Sequence, residues 1–343
     1  MAWRAVVTFL VVAASLPAWG QSRPSFDCAK ASSAIEKTIC GHADLGDADR
    51  AMAAAYTKLL ATLHGAAREH LQADQARWLQ TNLRLCDISL RSSLAASEIG
   101  SQSYDCLKRR LESRMARMRD MPAGVDYPFV SERAVIEAGK VGRYSYRFFA
   151  LYPRFDGGGA DGALNARIEA EARKAVTEPR PTPDLRPPPA GALWTVEIEH
   201  ELRYPARGLV TVATFRSDYL GGAHGNSADS AVLVDVASGR ALALDDVLSR
   251  PAGWPVLVTR LTIEELRRQF VGRPGDPETL TEASIGKLLM DPARWAFGPE
   301  GVEIVFNPYE IGPYAAGAFE VALSYEQLRS VIRADGPLAA KAR

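Results

Sequence analysis

The runs LWTVEIEHELRY (193–204), PARG (205–208) and LVTVATFRSDY (209–219) decide how the larger part of the chain folds. Apolar and polar residues alternate on either side of a Pro/Gly-containing break. A period of two is that of a half-buried strand, so the segment reads as a β-hairpin. Outward from it, Ala231 to Val236 is a further strand turning at Ser238-Gly239, and Tyr144 to Phe155 alternates aromatic and polar residues as another. Ala160 to Val176, Trp254 to Phe270, Glu278 to Met290 and Tyr325 to Ile332 read as helices. Gly301 to Phe306 and Ala318 to Leu323 are strands flanking a Pro/Gly/Tyr-rich connector. Six prolines between Pro179 and Pro189 mark a loop or extended spacer. Strands in hairpin order with interspersed helices predict an α+β domain on a mostly antiparallel sheet over residues 140–336, with a linker at 122–139 and a tail at 337–343.

The first third has a different period. Leu45, Ala48, Met52, Ala55, Tyr56, Leu59, Leu60 and Leu63 trace one helical stripe that ends at His64-Gly65. Leu71, Trp78, Leu79, Leu83 and Cys86 mark a second helix, and Leu107, Leu111, Met115 and Met118 a third. The other face of the third is basic, with Lys108, Arg109, Arg110, Arg114, Arg117 and Arg119, and reads as solvated. Ser32 to Ile39 forms a shorter helix capped by Ser32 or Ser33. A helical hairpin or bundle is therefore expected over 21–121.

Composition narrows the function classes. The 343 residues carry 41 Lys+Arg against 41 Asp+Glu, which excludes the basic footprint of a nucleic-acid binder. Arg4, the short apolar run Ala5 to Leu16 and Ala18-Trp19-Gly20 form an export signal over 1–20, with cleavage expected before Gln21. No later run suggests a membrane span. A soluble periplasmic or secreted location follows. Cys28, Cys40, Cys86 and Cys106 form an even set, which in an oxidising compartment implies two disulfides. Their number alone allows three pairings. The helical hairpin favours Cys40 with Cys86, because both should lie at the same end of it, leaving Cys28 with Cys106.

Catalytic signatures are scarce: there is no GxSxG elbow, phosphate loop, HExxH or Cys-x-x-Cys, and no cofactor or metal is expected. Two loops stand out instead. In Gly221-Gly222-Ala223-His224-Gly225-Asn226, glycine freedom brings backbone N–H groups within reach of a ligand. In Asn307-Pro308-Tyr309-Glu310-Ile311-Gly312-Pro313-Tyr314, two Pro-Tyr steps flank one carboxylate. Proline lowers the entropy cost of presenting a loop, and tyrosine offers a large amphipathic contact with few rotors. Gly221, Gly222, His224, Asn226, Pro308, Tyr309, Glu310, Pro313 and Tyr314 are the candidate partner-binding residues. A peptidoglycan-acting enzyme using His224 and Glu310 is the competing chemistry.

Phe26-Asp27-Cys28, Ile35 to Cys40, Leu45 to Asp49, Tyr56 and Gln75 to Leu79 up to Cys86 together resemble the LprI-type lysozyme-inhibitor domain over about residues 26–115. Asn82-Leu83-Arg84-Leu85 departs from the Arg-Asp pair usual in that family before its third cysteine. Tyr219 to Asn226, Asp235 to Asp246, Phe306 to Gly317 and Tyr325 to Leu328 resemble the C-terminal domain shared by RsiV-type anti-sigma factors and PdaC-type peptidoglycan deacetylases. In RsiV-type proteins that domain resembles a receptor for lysozyme. Both resemblances imply a lysozyme-type muramidase as partner, with peptidoglycan as the alternative, and an exported protein without enzymatic activity. They imply that both loops face the partner's cleft, with Tyr309 and Tyr314 as anchors and Glu310 meeting the partner's positive charge.

Overall fold

The computed structural model describes residues 24–86, 101–121, 129–142, 144–156, 161–179 and 193–343. The expected export signal and most of the proline-rich spacer lie outside the described residues. The helical part comprises α1 (Ala34–Gly41), α2 (Ala43–Thr62), α3 (Gly65–Leu85) and α4 (Ser101–Asp120). Ser33 caps α1: its hydroxyl accepts from the Glu36 N–H while the Glu36 carboxylate accepts from the Ser33 N–H. The apolar stripe of α2 packs mainly against α4, with Leu45 and Met52 buried beside Leu107 and Leu111.

That packing corrects the disulfide pairing. The bonds are Cys28–Cys40 and Cys86–Cys106. The nearest neighbour of α2 is α4 rather than α3, so Cys40 and Cys86 do not sit at one end of a closed hairpin. The cysteines pair first with second and third with fourth: the turn Cys28–Lys30 folds back onto α1, and Cys86, just beyond α3, meets the second turn of α4.

The main sheet runs in sequence order through β1 (Phe129–Val141), β2 (Tyr144–Asp156), β3 (Trp194–Arg203), β4 (Leu209–Tyr219), β5 (Asn226–Asp235) and β6 (Arg240–Ala241). Only β2 and β3 are parallel, and α5 (Asp161–Thr177) lies between them in the chain, as a parallel crossover requires. The sequence reading placed most of β1 in a linker. Its pattern hides because Glu132 occupies an inward position that alternation reserves for an apolar residue. The fold is α+β, as expected.

Alternation along β2 divides the sheet between two layers. Phe149 and Leu151, with Ala134 and Ile136 of β1, join the helical core around Ile39, Trp78 and Leu111. Phe148 and Ala150 face the other way, onto Ala172 and Val176 of α5 with Trp194 and Val196. The helical part and the sheet therefore share one core.

A charged junction reinforces it. Arg114 pairs with Asp74 at 2.7 Å, both almost wholly buried, and Asp74 also accepts from the Glu132 backbone N–H at 2.9 Å. Glu132 is bridged by Arg110 and, at 3.5 Å, by Arg117. Arg117 in turn donates to Nε2 of His200 at 2.7 Å. Three arginines expected on a solvated face thus point into the junction. They lie at steps of four and three, one side of a helix, while Arg109 and Arg119 remain exposed.

A second layer consists of α6 (Leu244–Val247), α7 (Trp254–Gln269), α8 (Glu282–Leu289), a three-stranded antiparallel sheet and α9 (Tyr325–Leu328). The strands are β7 (Trp295–Phe297), β8 (Gly301–Phe306) and β9 (Phe319–Ser324). Val302, Ile304 and Phe306 alternate inward with Phe319, Val321 and Leu323, onto Trp254 and Val258 of α7 and Leu209 and Leu233 of the main sheet. The expected tail belongs to this core: Leu338 is fully buried, and Lys341 donates to the Pro299 carbonyl at 2.7 Å. Among the described residues no helix is long and apolar enough to cross a membrane.

Candidate functional site

The two loops singled out in the sequence meet. The β4–β5 connection turns through Gly221 and Gly222 at φ of 95° and 120°, conformations that suit glycine. A side chain on Gly225 would meet the Asp218 carbonyl, so the turn closes tightly there. His224 projects from it and stacks on Tyr314 with ring centroids 3.8 Å apart and planes 16° from parallel. The Tyr314 hydroxyl donates to the Gly225 carbonyl at 2.6 Å, and Tyr309 lies 5.5 Å beyond. His224, Tyr314 and Tyr309 form a continuous aromatic strip. Asn226 begins β5, its side chain reaching Asp218 at 3.3 Å, and Pro313 leads directly into Tyr314.

The Pro-Tyr loop is braced beneath the strip. Arg294 grips Glu310 through two bonds of 2.5 and 2.7 Å, and Glu310 also accepts from the Asn307 N–H at 2.6 Å. The Asn307 side chain clasps β5, accepting from the Asp229 N–H at 2.7 Å and donating to its carbonyl at 3.1 Å. With Pro308 fixing its own φ, Tyr309 is left at φ 73°, the one non-glycine residue among those described with a positive φ. It is also 64% exposed. Holding a tyrosine left-handed costs about 1–2 kcal/mol, and such strain concentrates at functional positions.

Glu310 departs from its expected role. Its carboxylate is committed to Arg294 and closes its own loop rather than facing outward with free charge. The Nδ1 of His224 lies 2.8 Å from the Gly225 carbonyl. Among the described residues no group of His, Cys, Asp or Glu is placed to hold a metal ion. Sequence reasoning missed Arg294 and Asp229, because their partners lie 16 and 78 residues away. It also missed Phe215, an exposed ring on β4 between the cross-strand carboxylates Glu199 and Asp229. Along β4 Phe215 follows the buried Leu209, Thr211 and Ala213 of the same face, so alternation alone reads it as one more core residue.

Comparison with known proteins finds a match at each end of the chain. Residues 28–118 match the family model described as Lysozyme inhibitor LprI. Residues 255–326, which include the braced Pro-Tyr loop, match DUF3298, described as a protein of unknown function. The LprI match covers α1 to α4 almost completely, and the DUF3298 match runs from α7 into α9. Peptidoglycan-N-acetylmuramic acid deacetylase PdaC of Bacillus subtilis is 21% identical over 207 residues, 60% of this chain and 42% of that protein. The chain thus spans less than half the length of that curated relative. Solved DUF3298 family proteins from Pseudomonas aeruginosa and Bacteroides fragilis align at 16% and 17% identity, both with a TM-score of 0.41, covering 62% of this chain and 96% of theirs.

Proposed function

We propose that the protein is exported, that it binds lysozyme-type muramidases, and that it inhibits them by occlusion without chemistry of its own. The LprI match over 28–118 supports the class of partner. One observation supports the surface: Tyr309, strained and exposed, heads an aromatic strip whose supporting loop is held by Arg294 and Asn307. Bracing of this kind lowers the ordering cost of association, and exposed tyrosines make effective interface anchors. Gly221, Gly222, His224, Asn226, Pro308, Pro313 and Tyr314 would form the contact with Tyr309, and Glu310 would position it. A standard interface would bury about 1,600 Å² in total. Two disulfides suit an oxidising compartment outside the cytosol.

The experiment is a muramidase inhibition assay paired with direct binding, using purified protein and a panel of lysozymes. Saturable binding and inhibition at or below micromolar concentration are expected. Absence of binding across the panel overturns the reading. The similarity to a peptidoglycan deacetylase favours a second reading, attachment to the cell wall itself. Co-sedimentation with purified sacculi in the absence of any muramidase would establish that reading instead.

A further inference from the structure

The main sheet leaves part of one face uncovered between the helical layer and the second layer. Across β3, β4 and β5 this patch presents a row in direct cross-strand register: Glu199, Phe215 and Asp229. Neighbours in such a row stand about 5 Å apart. Phe215 is 38% exposed, unusual for a ring in the middle of a sheet. The row lies in an open hollow of about 390 Å³ beneath α4.

The charges here are unequal in what they already have. In the same hollow Glu197 is paired with Arg147 and Arg216 with Asp218. Among the described residues the carboxylates of Glu199 and Asp229 have no hydrogen-bond or ion-pair partner. Burial, and then the nearby charge of Glu320, raises the Asp229 pKa, as happens when a carboxylate lacks a cation. Arg109 on the facing wall offsets one negative charge and leaves the row with its neighbour Glu320 net negative. The backbone of Asp229 is also the point that Asn307 clasps, so the row continues directly from the loop bearing the aromatic strip.

We infer that the Glu199–Phe215–Asp229 row receives a basic side chain, an arginine or a lysine, from the protein partner. A guanidinium or ammonium group over the Phe215 ring gains from the π-face and meets a carboxylate on either side. The site rests on the proposed docking of a protein partner and adds its chemistry: a protruding basic residue inserted beside the surface that meets the tyrosines. Phe215 supplies the stacking plane, and the two carboxylates select positive charge.

Two probes separate this inference from the reading beneath it. The first is a basic lysozyme, titrated at several salt concentrations against the full chain and against Glu199→Gln with Asp229→Asn. The double variant should bind about tenfold or more weakly, and its affinity should fall less steeply with salt. Tyr309→Ala should weaken binding while leaving that salt dependence intact. The second is a short arginine-containing peptide amide and its citrulline analogue, followed by aromatic NMR. The arginine peptide alone should shift the Phe215 ring, and the double variant should abolish the shift. Peptide binding at Phe215 without lysozyme binding would overturn the muramidase partner and sustain the row. Equal shifts from both peptides, or no Phe215 shift at 10-millimolar-scale peptide, would overturn the row. Thermal unfolding of the variants checks that the sheet persists, and Asp229→Asn should not lower its midpoint.

Discussion

Two of the places where arginine meets carboxylate in this molecule do different work. At the junction, Arg114 and Asp74 are 2% and 1% exposed, and Arg110, Arg117 and Glu132 lie beside them. At the loop, Arg294 and Glu310 are 10% and 25% exposed and brace a strained tyrosine. The junction joins layers that already share an apolar core, so its charges must be matched because water is excluded. The loop pair holds a short segment against entropy, at the edge of solvent. The difference teaches that a buried pair is costly to break, whereas a bracing pair is costly to lose only where what it holds is used.

The largest expected effect falls on the junction. Arg114→Ala leaves Asp74 charged and buried and should destabilise the protein by about 3–5 kcal/mol, measured by denaturant unfolding. Arg114→Met combined with Asp74→Leu should recover part of that loss, since it removes both charges and keeps volume but leaves the Glu132 N–H without its acceptor. A double variant as unstable as Arg114→Ala would show that the junction's geometry, not its charge balance, holds the layers. The disulfides come next. Cys86→Ser with Cys106→Ser should cost about 2–4 kcal/mol, and peptide mapping of the oxidised protein should recover Cys28 with Cys40 and Cys86 with Cys106.

These regions also mark how far the sequence could be read. Local periodicity gave the helices and most strands, because a stripe or an alternation is written in neighbouring residues. The strands β4 and β8 have the predicted bounds. What failed depended on distant partners. Arg110, Arg114 and Arg117 look like a wet face until Asp74 and Glu132 are brought to them. Glu132 broke the alternation of β1, and Asn226 to Ser230 is too polar to announce the first half of β5. The cysteine pairing failed because hairpin logic assumed that successive helices pack together. The two loops were legible as unusual compositions, but their meeting at His224 and Tyr314 was not, since 90 residues separate the two rings. Their brace was not legible, since Arg294 stands alone in its local sequence.

On the loop side, Tyr309→Ala should weaken muramidase binding by about 2 kcal/mol, the scale of a hot-spot aromatic, with the unfolding midpoint little changed. Arg294→Gln should weaken binding as well, although Arg294 lies beneath the strip, because the loop then loses its brace. If Arg294→Gln affects stability alone, the loop geometry does not matter to the partner.

Titration separates the regions again. Burial, then the adjacent Arg117, pushes the His200 pKa from its ordinary 6.5 down to about 3. Burial alone would raise Glu132, but Arg110 and Arg117 outweigh it and hold the carboxyl at about 2 against an ordinary 4.5. Both folded values are depressed, so below pH 6.5 the unfolded chain takes up protons that the folded chain refuses. Stability should be full above that point and fall with acid by about 1.4 kcal/mol per pH unit per group. His200 acts from pH 6.5 to about 3, and Glu132 adds its share from 4.5 to about 2. His200→Gln, whose amide oxygen can still accept from Arg117, should remove the loss between pH 6.5 and 4.5. Persistence of that slope in the variant would assign it elsewhere.

The smallest effect is the most discriminating. Tyr309 holds a left-handed φ that glycine adopts freely. Tyr309→Gly should therefore relieve about 1–2 kcal/mol of backbone strain, while the greater freedom of glycine in the unfolded chain returns up to about 1 kcal/mol of it. The net gain should lie between about 0 and 1.6 kcal/mol, visible as an unchanged or slightly raised unfolding midpoint. Tyr309→Asn, with a side chain that tolerates the same conformation, should gain less strain relief and lose as much contact area. If both variants unfold no earlier than the parent yet bind muramidase poorly, the tyrosine is kept at a cost in stability for its ring. If either is destabilised, Tyr309 supports the fold through its contact with Tyr314, and the junction and the loop then differ only in burial.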